Sequence, residues 1–268
     1  MARKRLTSWN DKRVVITGAS SGIGRLLALR AASEGARVAL VARREDRLRE
    51  VADTANALGG ETIVFPCDVE DVDAVQKSAD AILDRWGGVD VLVNNAGYGG
   101  HFRFLEWDIA DIERMVRVNF LGTVYWTKAL LPDMVERGSG WIVMMASVAG
   151  KIGVPGESVY SATKFAMVGL SEALSIEVED SGVHVLTVCP GAIDTEFFSE
   201  ADRERMPEVA LRSMIKPERV VDAVFNGLAK GKREITVPAM IACAYGVKAV
   251  APAVLRSGVK RSTRARRD

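Results

Sequence analysis

The chain is short of the residues that build metal centres and disulfide frameworks. It has three cysteines, Cys67, Cys189 and Cys243, and only two histidines, His101 and His184, in 268 residues. None has the short partner spacing of a zinc site or a stapled scaffold, so no metal is expected and the thiols suit a reducing compartment. His101 is expected to be merely solvated at the mouth of a site, and His184 to begin a strand with no chemical role. Net charge is scarce too: 36 basic against 35 acidic side chains leave +1. That gives no overall field for gripping nucleic acid, which is not expected as a partner. The basic start, Met1 to Arg5, is not followed by the apolar core of a signal peptide, and a cytoplasmic location is expected. Aromatic residues are sparse at 6%, yet 48% hydrophobic and 26% charged residues suit a globular fold.

Short apolar runs alternating with stretches of helical period are abundant. Strands are expected at Arg13–Thr17, Arg37–Ala42, Thr62–Phe65, Val89–Val93, Trp141–Ala146, Val183–Cys189 and Glu234–Val237. Each is rich in Val, Ile or Leu without polar alternation, the pattern of strands covered on both faces. Helices are expected between them, for instance at Gly22–Glu34, Arg44–Ala57 and Val72–Arg85. Repeated strand–helix units imply a parallel sheet with right-handed crossovers. The expected fold class is α/β, one doubly wound parallel sheet with helices on both faces. It should occupy residues 1–237 as a single domain, with an apolar segment and basic tail at 238–268.

The first strand runs into Thr17-Gly18-Ala19-Ser20-Ser21-Gly22-Ile23-Gly24, with a helix directly behind it. Glycines let backbone turn tightly and approach a pyrophosphate, and a helix N-terminus offers free N–H groups and partial positive charge. With a strand before and a helix after, a dinucleotide cradle outweighs an idle glycine turn. At the end of the second strand, where an acid would hold a ribose 2′-hydroxyl, stands Ala42, followed by Arg43 and Arg44. A guanidinium grips a 2′-phosphate and a carboxylate repels it, so NADP(H) is expected over NAD(H). For Arg44, a solvated helix face is an equally good reading.

Tyr160 and Lys164 stand four apart in a helical stretch and so share one face. A neighbouring ammonium, joined by the positive ring of a bound nicotinamide, is expected to lower the phenol from its ordinary value near ~10 and make it an acid/base. Ser147 closes the preceding strand, where doubly wound sheets place ligands, and its hydroxyl can hold a substrate oxygen. The glycine octet, in its Gly-x-x-x-Gly-x-Gly spacing, resembles the cofactor signature of the short-chain dehydrogenase/reductase family. Ser147, Tyr160 and Lys164 follow in the order of that family's active site.

The resemblance extends over about residues 14–195. Asn94-Asn95-Ala96-Gly97 is similar to the motif that braces the sheet and lines the adenosine side, and Asp68-Val69 to the pair that contacts adenine. Asn119 looks like the asparagine completing a catalytic tetrad. Pro190, Gly191, Ile193 and Thr195 resemble the loop that holds the nicotinamide carboxamide. A homo-oligomer, dimer or tetramer, is implied by the resemblance alone.

The resemblance implies an enzyme moving a hydride between NADP(H) and a small-molecule carbonyl or alcohol. Two alternatives stand beside it: an NADP(H)-binding sensor without turnover, and a 3-oxoacyl thioester reductase. Tyr98, Phe102, Phe104 and Trp107, with Phe197, Phe198, Met206 and Met214, are expected either to fold over a lipophilic substrate or to pack a lid or interface. Pro238–Leu255 is apolar except for Lys248, and six Lys/Arg against one acid follow in 256–268. Three readings are open: a membrane span, weakened by Lys248 and Pro252; a peripheral helix whose basic tail meets anionic lipid; and a lid or interface helix with a disordered tail.

Overall fold

In the computed structural model of the protein, which describes residues 4–264, alternate side chains of each central strand enter two separate cores. Val14 and Ile16 of β1 (Arg13–Thr17) face one, and Val15 faces the other. In β2 (Arg37–Ala42), Val38 and Leu40 oppose Ala39 and Val41. Because side chains alternate along a strand and both faces are covered, these strands carry no polar alternation.

The remaining strands are β3 (Glu61–Pro66), β4 (Val91–Asn94), β5 (Gly140–Met145), β6 (Val183–Pro190) and β7 (Glu234–Val237). All seven are parallel, in the order β3-β2-β1-β4-β5-β6-β7. The first core is closed by α1 (Gly22–Ser33), α2 (Glu45–Ala57) and α9 (Pro217–Ala229). The second is closed by α3 (Val72–Trp86), α5 (Gly122–Glu136) and α6 (Ser158–Glu177). This is the expected Rossmann-like sheet. The strand order reverses between β1 and β4, where the carboxyl ends open a crevice for ligands.

Strand boundaries move by a residue or two at most. The fourth strand starts at Val91 rather than Val89, because Gly87 and Gly88 turn the chain with positive φ and the Val89 N–H donates to the Asp133 carboxylate at 3.1 Å. At this amino end of the sheet Arg13 pairs with Asp90 at 2.8 Å, and Arg137 pairs with Asp133 at 2.7 Å and Asp90 at 3.3 Å. Burial would raise the Asp90 and Asp133 carboxyls, but the facing Arg13 and Arg137 guanidiniums hold both below the ordinary carboxylate value.

The C-terminal segment is a pair of short helices, α10 (Ala242–Val250) and α11 (Pro252–Arg264). Among the described residues no helix is long and apolar enough to cross a membrane. The expectation of a disordered basic tail is corrected as far as Arg264. Proline is at home at the first position of a helix, and Leu255 and Val259 are half-buried on one face while Arg256, Lys260 and Arg261 are exposed. The first three residues and 265–268, part of the basic start and tail, lie outside the described residues.

Candidate active site

β1 delivers its last residue, Thr17, to the reversal of strand order. The Thr17 hydroxyl accepts the N–H groups of Asn95 and Ala96, each at 3.0 Å, and donates to the Val93 carbonyl at 3.3 Å. Asn95 Nδ2 returns the brace to the carbonyls of Thr17 at 3.0 Å and Gly18 at 3.3 Å. Gly18 adopts φ +66°, a left-handed turn that favours glycine. Gly24 is required for a different reason: a Cβ there would lie 2.2 Å from the Gly18 carbonyl oxygen. The Ser21 side chain, at the start of α1, caps no backbone N–H. The first turn of α1 therefore keeps N–H groups free for an anion, and this close-built glycine cradle fits a pyrophosphate.

Arg43 and Arg44 follow β2 at the same edge. Arg44 Nη2 donates to Ser20 Oγ at 3.1 Å and Ser21 Oγ at 3.2 Å, so it is anchored over the cradle rather than lost on a solvated helix face. Arg43 Nη1 lies 3.8 Å from Asp68 Oδ2.

Tyr160 and Lys164 lie one turn apart on α6, both buried, with the Lys164 ammonium 5.6 Å from the Tyr160 ring centroid. Lys164 Nζ donates to the Met145 carbonyl at 2.8 Å. Ser147, just beyond β5, accepts the Ala149 N–H at 3.1 Å and reaches the Pro190 carbonyl at 3.4 Å. In the protein alone the ammonium does not produce the lowering expected of ammonium and nicotinamide ring together. Burial, followed by the Glu157 carboxylate, pushes Tyr160 well above its ordinary value, with only the Ser147 hydrogen bond pulling it down. Burial also lowers Lys164 to about 8. The phenol thus stays protonated at neutral pH, while Lys164 remains mostly an ammonium.

Asn119 sits in a π-helical turn, Arg117–Leu121, between α4 (Ile109–Val116) and α5. Its side chain accepts the Tyr98 N–H at 2.9 Å, donates to the Tyr98 carbonyl at 2.8 Å and reaches Thr163 Oγ1 at 3.3 Å. It holds the wall of the site, behind Gly97, and ties it to α6.

These groups surround a cavity of about 740 Å³. Gly18, Ser20, Ser21, Gly22, Ile23, Arg43, Arg44, Asp68 and Val69 line one end of it. Asn95, Ala96, Gly97, Ser147, Tyr160, Lys164, Pro190, Gly191, Ile193 and Thr195 line the rest. Two expected site residues do not face it: Gly24, packed under Gly18, and Asn119. Of the apolar residues, Tyr98, Phe197, Phe198 and Met206 line the cavity, and the Phe197 ring meets Tyr160 edge-on at 5.7 Å. Phe102 and Trp107 pack on each other at 5.1 Å, Phe104 is exposed, and Met214 lies against Arg203.

The expectation that His101 is merely solvated is corrected, and Glu157 had no expected role. His101 is buried, its Nδ1 is 3.5 Å from Glu157 Oε1, and its backbone N–H donates to Asp202 on α7 (Glu200–Arg205) at 3.0 Å. The only sequence signal was Glu157, three residues before Tyr160. His184, also buried, bonds the Lys232 carbonyl at 2.9 Å.

A seven-stranded parallel sheet with a serine, a tyrosine and a lysine gathered at its carboxyl edge beside a glycine cradle defines an oxidoreductase of the nicotinamide-binding kind. The sequence pattern described as short chain dehydrogenase matches residues 12–206, and the chain belongs to that family. A ketoacyl reductase, HetN, of a Nostoc species is 34% identical over 87% of this chain and 80% of its own length. The 11-beta-hydroxysteroid dehydrogenase-like 4A protein of Arabidopsis thaliana is 36% identical over 94% and 85%. Among solved structures, a short chain dehydrogenase/reductase from Burkholderia phymatum in complex with NAD is 29% identical. It covers 91% of this chain and 95% of its own, with a TM-score of 0.84. A metagenomic short-chain oxidoreductase in complex with NADP is 31% identical over 85% and 98%, with a TM-score of 0.73.

Proposed function

We propose that this oxidoreductase uses NADP(H) and acts on an apolar carbonyl or alcohol. The observation that carries the cofactor choice is Arg44, held by Ser20 and Ser21 at the cavity edge, with Ala42 where a carboxylate would favour a free 2′-hydroxyl. The glycine cradle and the start of α1 would hold the pyrophosphate, and Arg44 with Arg43 the 2′-phosphate. When bound, the reduced nicotinamide supplies a hydride to the carbonyl carbon. Tyr160 gives its phenolic proton to the carbonyl oxygen, Ser147 donates a hydrogen bond to that oxygen, and Lys164 offsets the charge left on the phenolate. Tyr98, Phe197, Phe198 and Met206 make an apolar seat for the substrate, in keeping with the hydroxysteroid and ketoacyl names of the relatives.

The test is the ratio of kcat/KM with NADPH to that with NADH, on an apolar ketone, in the protein and in Arg44→Ala. NADPH is expected to win. The variant should lose roughly 10-fold or more of that preference, the value of one charge-assisted contact. Equal use of both cofactors by the unaltered protein would overturn the assignment.

A further inference from the structure

A second cavity, of about 1160 Å³, lies beside the catalytic one. Consecutive residues of the same segments wall the two apart. Val154 and Glu157 face the catalytic cavity while Pro155 and Gly156 face the second. Likewise Met206 faces the first, and Arg205 and Pro207 the second. His101 stands in this wall, with Gly156 against its ring and Glu157 3.5 Å from its Nδ1. One layer of residues separates the two cavities, so a molecule running over the edge of that layer would reach from Tyr160 into the second cavity.

The lining of that cavity is chemically two-sided. Ile152, Pro207, Leu255 and Val259 give it an apolar floor, while five cationic side chains face it against two carboxylates. The cations converge from three separate parts of the chain: Arg103 after β4, Arg205 at the end of α7, and Lys248, Arg256 and Lys260 on α10 and α11. Glu106 and Arg205 pair with each other at 3.2 Å, leaving four cations against one carboxylate, and of these Lys248 also donates to the Lys151 carbonyl at 2.6 Å. Methylene groups fit such a floor, and guanidinium forks at its rim match a phosphate or carboxylate through charge-assisted hydrogen bonds. The charge lines a concavity rather than a flat face, which favours one small molecule over a bilayer.

We propose that this second cavity binds the anionic end of an extended apolar substrate whose carbonyl or alcohol sits at Tyr160. The proposal rests on the oxidoreductase reading. It narrows the substrate to amphiphiles that carry a phosphate or carboxylate at the end remote from the reacting carbon.

The test compares an ω-oxo fatty acid with its methyl ester as NADPH-dependent substrates of the full chain and of an Arg103→Ser, Arg256→Ser double variant. The acid is expected to have a KM about 10-fold below that of the ester. The variant should erase that advantage while leaving kcat and the ester's constants unchanged. Equal KM values for acid and ester in the unaltered protein overturn the proposal.

A second arm needs no turnover: calorimetric binding of dodecyl phosphate, below its micellar concentration, and of inorganic phosphate. One dodecyl phosphate bound per chain, weakened in the variant, supports the subsite even if no carbonyl is reduced; in that case the catalytic reading alone fails. Equally tight binding of inorganic phosphate marks a free-anion site and overturns the proposal. So does co-sedimentation with phosphatidylglycerol vesicles, lost in the variant, without stoichiometric binding of dodecyl phosphate.

Discussion

Replacing Gly24 with alanine tests the cradle at the point where the structure leaves least room. The new Cβ would lie 2.2 Å from the Gly18 carbonyl oxygen and 2.5 Å from Asn95 Nδ2, against a floor near 3.0 Å for real Cβ contacts. Backbone must therefore give by about 0.8 Å at the residue whose carbonyl also receives Asn95. Overpacking of this kind costs about 1–3 kcal/mol. For a domain near this size, each kcal/mol lowers Tm by roughly 2–4 °C. NADPH at about 100 times its Kd should add roughly 2.7 kcal/mol to the unaltered protein. The variant is expected both to melt several degrees lower and to lose most of that ligand-induced rise, because the same shift distorts the pyrophosphate cradle. Gly169→Ala is the control. That position is exposed in the middle of α6 with nothing within 4 Å of an added Cβ, and the change should stabilise by about 0.5–1 kcal/mol. Thermal melts with and without NADPH read both effects. A Gly24→Ala protein with unchanged Tm and an unchanged rise would refute the close approach and the role drawn from it.

Tyr160→Phe should cut turnover by roughly 10²–10⁴ while NADPH binding, followed by fluorescence, stays within a factor of two or three. Lys164, lowered by burial to about 8, makes the native state shed its proton before the unfolded chain does. Stability should therefore rise with pH between about 8 and the ordinary lysine value of 10.5, and urea melts of Lys164→Met should lack that rise. Asp90 and Asp133 also make stability rise with pH, but in the acid range. Their depressed carboxyls stabilise the fold above the ordinary value of 3.8, and this stability is lost as pH falls through and below it. Asp90→Asn should cost about 1–3 kcal/mol at neutral pH and flatten the acid limb of the unfolding curve.

The sheet was readable because parallel strands buried on both faces leave continuous apolar runs. Three of the seven strands have their expected bounds, and the others shift only at their ends. The grouping of Ser147, Tyr160 and Lys164 was readable because their order along the chain places them at one edge of the sheet. Burial was not readable, and in the protein alone burial raises Tyr160 and lowers Lys164. The burial of His101 was not legible for a similar reason. Its partners Glu157 and Asp202 are distant in sequence, and only the packing of the loop after β4 against α6 and α7 brings them together. Gly24 was assigned to the cofactor on spacing alone, yet it works one step back, by letting α1 close on the turn.

The wide turn at Arg117–Leu121 has a consequence for how this chain tolerates insertions and deletions. There the Gly122 amide reaches back five residues to Arg117 rather than four. One surplus residue is accommodated without breaking the rod formed by α4 and α5. Each residue of a regular helix advances about 100° around its axis. Deleting one between Arg117 and Leu121 would close the wide turn to regular winding with α4 and α5 still in phase, whereas inserting a further residue would swing α4 through roughly that angle, carrying the buried Met115 out toward solvent and Asn119 away from Tyr98. Exposed turns elsewhere can gain or lose a residue locally, but here a single-codon insertion would rephase a helix on which the wall of the cavity depends.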